Sequence, residues 1–212
     1  YMPWSDMGTT GKDIERLLRA AGIEKPLLQN TGRSSIFTGL SVAIAAAEAA
    51  RHKRMNLAGL TLAIEGFGKV GTAAALELRS MGIRLVAIST SKGAIYKPDG
   101  FDVDQLIDLY KSRGSNMVEA VSEGDRIDKE KLLELDVDIL SPCAGPHSIT
   151  VQNAAKVSAK IVSPGANMPL DSEAERTLFE KGILYIPNFV SNVGGVIGAT
   201  MESSGIEEGF IR

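Results

Sequence analysis

Hydrophobic positions recur along this chain with two alternating periods. Residues 38–53 spread Leu40, Val42, Ala43, Ile44, Ala46, Ala47 and Ala50 around most of a helical circumference, which predicts a helix packed on several sides. The next apolar runs are short and continuous, Leu60-Thr61-Leu62-Ala63-Ile64 and Ile83-Arg84-Leu85-Val86-Ala87-Ile88, and predict buried strands of a parallel sheet. Between them residues 72–80 predict a helix that Gly82 closes, completing a strand, helix, strand unit. Upstream, Thr10 and Asp13 form a capping pair for a helix over residues 12–21, ended by Gly22. Downstream, Pro98-Asp99-Gly100 marks a turn, and residues 102–111 are amphipathic with Val103, Leu106, Ile107 and Tyr110 on one side. Residues 137–140, 159–162 and 183–186 predict further strands, alternating with helices over 151–157 and 172–181.

Such alternation predicts an α/β fold, a Rossmann-like doubly wound, mostly parallel sheet with helices on both faces. No internal repeat or linker interrupts it, so residues 1–212 read as one domain with residues 1–22 as its lead-in. Ligands of such sheets sit beyond the carboxyl ends of the strands. The loops expected there are the turn after Ile64 and residues 89–93, 141–149, 163–167 and 187–195.

The first of these loops carries the chemistry. Gly66-Phe67-Gly68-Lys69-Val70-Gly71 joins a strand to a helix. The strand must turn sharply at Gly66, let a pyrophosphate approach the backbone at Gly68, and seat the new helix closely at Gly71; each place needs a residue without Cβ. The helix then turns its unpaired N–H groups and the positive end of its dipole toward the phosphates. The predicted ligand is a dinucleotide.

Composition narrows the remaining classes. A net charge of −3 argues against nucleic acid as a partner. The single cysteine, Cys143, excludes an internal disulfide framework and fits a reducing cytoplasm. No apolar run approaches the roughly 20 residues that cross a bilayer, so no membrane association is expected. No pattern of metal ligands is visible. Tyr1 in place of a starting Met reads as a trimmed or processed chain. The basic cluster Arg51-His52-Lys53-Arg54 reads as the dipole complement of a helix end, and His147, after Pro146, as a loop residue.

Several segments together resemble one family, the glutamate, leucine, phenylalanine and valine dehydrogenases, with the glutamate branch nearest. They are Asp6-Met7-Gly8-Thr9, Gly32-Arg33 with Thr38-Gly39, the glycine turn, Ser91-Lys92-Gly93 with Tyr96 and Pro98-Asp99-Gly100, Pro142-Cys143-Ala144, Gly165-Ala166-Asn167, and Asn192-Val193-Gly194-Gly195-Val196. The resemblance implies the cofactor-binding domain of an enzyme that oxidises an L-amino acid to a 2-oxo acid and ammonia, and runs in reverse. It also implies that the family's first domain, which supplies the activating lysine and much of the oligomer interface, lies outside this stretch. The full-length protein is then a homo-oligomer, and this fragment alone an inactive monomer or weak dimer.

Site residues follow from the same resemblance. Asp6 matches an aspartate used for proton transfer, a role a closed cleft suits by raising a carboxyl pKa; the bland reading is an exposed residue near a chain end. Arg33 and Thr38 match positions near the nicotinamide, with a helix N-cap as the local alternative for Thr38. Asn167 and Asn192 match asparagines near the nicotinamide ribose and ring, with turn chemistry as theirs. The resemblance also puts Cys143 and Ala144 along the cofactor, Cys143 as a small buried hydrophobe, and Asn192, Val196 and Ala199 beside the amino-acid or 2-oxo-acid substrate.

Departures from the family pattern bear on specificity. Thr90 stands where a ribose-binding aspartate is common, in the stretch Ser89-Thr90-Ser91-Lys92. Without that carboxylate a 2′-phosphate is not repelled, and hydroxyls and an ammonium can donate to it, so NADP is favoured over NAD; Ser91 and Lys92 also read as plain loop residues. Pro164 and Asn188 replace a glutamate and an aspartate, and Ala199 replaces a serine that meets the substrate side-chain carboxylate in glutamate-specific members. A noncatalytic nucleotide-binding or regulatory paralogue is the alternative, and a structural domain with an empty cleft a third reading.

Overall fold

The computed structural model of the chain describes residues 10–23, 33–206 and 209. Helix α1 (Gly11–Ala20) begins at the expected capping pair: the Thr10 N–H donates to the Asp13 carboxylate at 2.8 Å and the Thr10 hydroxyl to the same oxygen at 2.6 Å. Helix α2 (Ser34–His52) starts four residues before the expected position, so Thr38 lies inside it and Arg33 takes the N-cap place. The sheet then builds through β1 (Thr61–Glu65), α3 (Lys69–Ser80), β2 (Arg84–Thr90) and β3 (Gly93–Tyr96). Helices α4 (Val103–Arg113) and α5 (Met117–Ala120) lead to β4 (Asp125–Ile127), and α6 (Lys129–Leu133) to β5 (Ile139–Pro142). Strand β6 (Ile161–Val162), α7 (Ser172–Glu180), β7 (Leu184–Tyr185), α8 (Asn188–Ser191) and α9 (Gly194–Ser203) complete the described chain.

Seven strands form one sheet in the order β4-β3-β2-β1-β5-β6-β7. From β2 to β7 all neighbours are parallel, whereas β3 and β4 add an antiparallel edge. Strand side chains alternate between two cores, as a doubly wound sheet requires. Leu62 and Ile64 join the helix residues Ala46, Ala75, Leu78 and Leu106 on one face. Ala63 joins Leu132, Leu140, Ile149, Ala174 and Leu178 on the other. The register skips one residue of β2 opposite Leu62 and Ala63, and the consecutive residues Val86 and Ala87 both face the second core there.

Several elements differ from the periodicity reading. Strands β3 and β4 fall where a loop and no element were expected, because short edge strands carry too few residues to show an alternation. Residues 151–157 contain one 3-10 turn, Ala154–Lys156, in place of a helix. Helix α9 begins inside the expected 187–195 loop; its glycines weaken helix propensity, and packing on α2 restores it. No described helix is long and apolar enough to cross a membrane.

Helix α2 lies unusually close to α3. A Cβ on Gly39 would stand 2.6 Å from the Ala74 backbone nitrogen and nearer still to the Ala73 side chain. Neither neighbour can rotate away. Gly39→Ala is therefore expected to destabilise the fold by about 1 to 3 kcal/mol through overpacking, measured by urea unfolding; an unchanged midpoint would contradict the close approach.

Candidate functional site

Three loops converge where β1 ends. Gly66 adopts a left-handed φ of +89°. Its N–H donates to Ser89 Oγ at 3.1 Å, and the Phe67 N–H donates to the Ser89 carbonyl at 2.7 Å. A Cβ at Gly66 would stand 2.5 Å from the Ala144 nitrogen, and one at Gly71 would collide with the Gly66 carbonyl oxygen. Gly68 is different. It occupies the N-cap place of α3, and the nearest atom to its virtual Cβ is the Tyr110 hydroxyl at 3.9 Å. The space over Gly68 is thus open while the glycines on either side are crowded. The first turn of α3 has no side-chain cap hydrogen bond and no acidic residue, which leaves its N–H groups to an anion. Lys69 is exposed at its first position and Val70 is half-buried. Phe67 is buried beneath the turn and meets Tyr110 edge to face at 6.5 Å.

A cleft of about 670 Å³ extends from Thr90 and Ser91 across Gly68 to Ala144 and Asn153. At the β2 end two of the candidate hydroxyls are already committed. Ser89 serves Gly66, and Thr90 donates to the Ser115 carbonyl at 2.8 Å while accepting the Lys92 N–H at 3.1 Å. Ser91 and the Lys92 side chain remain exposed. At the β5 end the Cys143 sulfur lies 3.4 Å from Ser141 Oγ, and burial pushes its thiol up to about 11, so it is no nucleophile at neutral pH. A Cβ on Gly165 would press on both Cys143 Sγ and Val70 Cγ1 at 2.7 Å, which ties the glycine turn to the loop after β6.

The second group of expected residues sits around α2, α8 and α9. Asn192 donates through Nδ2 to Asn167 Oδ1 at 2.7 Å and to the Ala166 carbonyl at 3.3 Å, so these two asparagines meet although 25 residues apart. Thr38 donates to the Ser34 carbonyl at 2.8 Å. Arg33 pairs with the largely buried Glu202 at 3.4 Å. On α9, Val196 is 71% exposed and Ala199 only 9%. Asp6 lies outside the described residues. Among the described residues no group of three or more His, Cys, Asp or Glu side chains could hold a metal.

The family model for Glutamate/Leucine/Phenylalanine/Valine dehydrogenase matches residues 32–210. The chain belongs to this family. It is 41% identical over 167 residues to a glutamate dehydrogenase of Aeropyrum pernix, covering 79% of this chain and 40% of that protein. It is 38% identical over 174 residues to an NADP-specific glutamate dehydrogenase of Saccharolobus shibatae, covering 82% of this chain and 41% of that one. An NAD-specific glutamate dehydrogenase of Staphylococcus aureus is 40% identical over 161 residues, 75% of this chain and 38% of that one. Among solved structures, the hetero-hexameric glutamate dehydrogenase of Thermus thermophilus in its leucine-bound form superposes with a TM-score of 0.72 at 32% identity, covering 80% of this chain and 39% of that chain. The chain thus spans about two fifths of the length of these relatives.

In this dehydrogenase-family chain, two cleft groups escaped the sequence reading. Tyr110 looked like one more apolar position of an amphipathic helix. Glu65 closed a hydrophobic run without any motif to mark it. Its Oε2 is buried with no hydrogen-bond partner among the described residues. Burial raises the Glu65 pKa above its ordinary value, against the opposing pull of the Ser148 hydroxyl, the Ala144 N–H and the Lys129 charge. Because the folded-state pKa of this acid is raised, the fold binds its proton more tightly than the unfolded chain. Stability is lost as pH rises from the unfolded value of 4.5 through the folded one. Glu65→Gln is expected to raise stability by about 1 kcal/mol at pH 8 and to leave it unchanged near pH 4, read from thermal unfolding at both; an equal effect at the two pH values would contradict the buried charge.

Proposed function

We propose that this chain is the NADP-favouring dinucleotide-binding part of an amino-acid dehydrogenase of the glutamate dehydrogenase type. The observation that carries the reading is the open space over Gly68, bounded by crowded Gly66 and Gly71 and facing the uncapped start of α3. A pyrophosphate fits there, held by the first-turn N–H groups, and the adenosine half fits the cleft toward Ser91 and Ala144. The nicotinamide would supply hydride transfer to and from the α-carbon of the amino acid. Asn167 and Asn192 are paired so that each retains polar capacity for the nicotinamide ribose and amide, with Thr38 and Arg33 on the same side of the fold. Val196 and Ala199 offer an apolar lining to the substrate side chain, and Asp6 would move a proton at the substrate amine. The preference for NADP rests on the missing carboxylate at Thr90 and on exposed Ser91 and Lys92, since the Thr90 hydroxyl itself is engaged with Ser115. Relatives of both specificities occur, the Saccharolobus shibatae protein being NADP-specific and the Staphylococcus aureus protein NAD-specific.

Calorimetric titration tests the cofactor. NADPH is expected to bind about tenfold or more tightly than NADH, the worth of one charge-assisted contact to the added phosphate, and Lys92→Ala should reduce the ratio. Equal affinities would refute the preference. Gly68→Val should abolish binding of both, because a branched side chain fills the diphosphate space.

Hydride transfer also needs substrate and nicotinamide held together by groups on both sides of a closed cleft. The polypeptide of residues 1–212 is therefore expected to be monomeric or weakly dimeric by light scattering and to show no steady change in reduced-cofactor absorbance. The assay uses glutamate, leucine, valine and phenylalanine, and their oxo acids with ammonia. Clear turnover by this polypeptide would show that the catalytic groups are all within it.

A further inference from the structure

Tyr110 occupies a position that its helix does not require. Val103, Leu106, Ile107 and Tyr110 share one face of α4, and Val103 and Leu106 are buried in the core beneath it. The Tyr110 ring continues that face, packed edge-on against Phe67 with an interplanar angle of 81°. Ring and backbone are thereby fixed, while the hydroxyl projects beyond the core into the cleft. There it stands 3.9 Å from where a Gly68 side chain would begin, nearer than any other atom outside the turn. No residue among those described accepts or donates a hydrogen bond to it; its one contact of note is the ring of Phe67.

A phenol with no protein partner is satisfied by water while the cleft is open. Filling the cleft removes that water, and a donor left unpaired there would weaken binding. The hydroxyl can donate a hydrogen bond, and it faces the one place along the turn where space has been kept free. We propose that Tyr110 donates a hydrogen bond to the diphosphate of the bound dinucleotide, completing from α4 the anion cradle that α3 begins. The inference rests on the dinucleotide reading of the cleft and adds a contact from a helix outside the glycine turn. Its position points to a phosphate oxygen rather than the base, because it is the nearest atom to the space over Gly68, at the start of α3.

Tyr110→Phe tests this with little disturbance, since the ring and its packing on Phe67 stay. Wild type and variant are titrated with NADPH and with ADP-ribose by calorimetry, with adenosine by NMR, and both are melted thermally. The expected result is about tenfold or greater weakening for NADPH and for ADP-ribose, no change for adenosine, and an unchanged melting temperature. Unchanged affinity for ADP-ribose in the variant would overturn the proposal and leave the dinucleotide reading intact. Equal weakening for adenosine would also overturn it, by assigning the hydroxyl to the nucleoside. Failure of wild type to bind either dinucleotide ligand would refute the underlying reading and the proposal with it.

Discussion

The carboxyl end of β1 is held by backbone contacts so short that only glycine can make them, and the cleft takes its shape from that pinning. Gly66 lies against Ala144 on one side and receives α3 through Gly71 on the other. The Cys143 N–H donates to the Glu65 carbonyl at 2.7 Å, so the loop after β5 is tied to the same turn by an ordinary ladder bond continued past the strand. The loop after β2 is tied there through both the carbonyl and the hydroxyl of Ser89. With three loops fixed to one point, the empty volume over Gly68 becomes a property of the backbone and not of mobile side chains. A site of that kind loses little ordering entropy when it binds.

The buried polar residues of the chain serve this pinning. Ser141 donates to the Ser163 carbonyl at 2.7 Å, Ser163 to the Val42 carbonyl at 3.1 Å, and Ser191 to the Pro164 carbonyl at 2.6 Å. Together with Ser89 and Thr90 they are the buried polar side chains of the described residues; four stand at or just beyond the carboxyl ends of strands, and Ser191 closes α8. Four of them donate to a carbonyl far along the chain, Ser89 instead accepts the Gly66 N–H, and leaving such a group unpaired in the interior costs about 1 to 3 kcal/mol. Their hydroxyls are consequently spent on the scaffold. What remains for a ligand is the start of α3, exposed Ser91 and Lys92, the paired asparagines and the unpartnered Tyr110 hydroxyl. Glu65 is the exception, a carboxylate kept under the loop after β5 with one oxygen unmatched, and its position in the cleft wall makes the local charge depend on pH.

Small residues set the geometry of the face that carries α2. Ser41 accepts the Gly194 N–H at 3.0 Å and donates to the Ser191 carbonyl at 2.8 Å, so α2 fixes the junction of α8 and α9 and, through it, Asn192. Alanines along α2 bring its axis near the sheet and α3, and the glycines of α9 accept Phe37 and Thr38 without side chains of their own. The two halves of the expected site therefore share α2 as a common backing.

The sequence by itself determined the sheet class, the central strands and the glycine turn between β1 and α3, because these rest on local signals: continuous apolar runs, glycine spacing and a capping pair. It also marked which residues to watch. Tertiary structure alone decided what those residues are free to do. Thr90 reads from sequence as a donor toward a phosphate, yet its hydroxyl donates to the Ser115 carbonyl, 25 residues away. The resemblance places Arg33 near the nicotinamide, yet Glu202 pairs with it from α9. Tyr110 and Glu65 carry no motif, and their places in the cleft arise from the packing of α4 on Phe67 and of the β5 loop on β1. The physical reason is the range of the interactions: periodicity and backbone conformation are set by neighbours along the chain, whereas whether a polar group has a spare hydrogen bond depends on partners that only the folded sheet brings near.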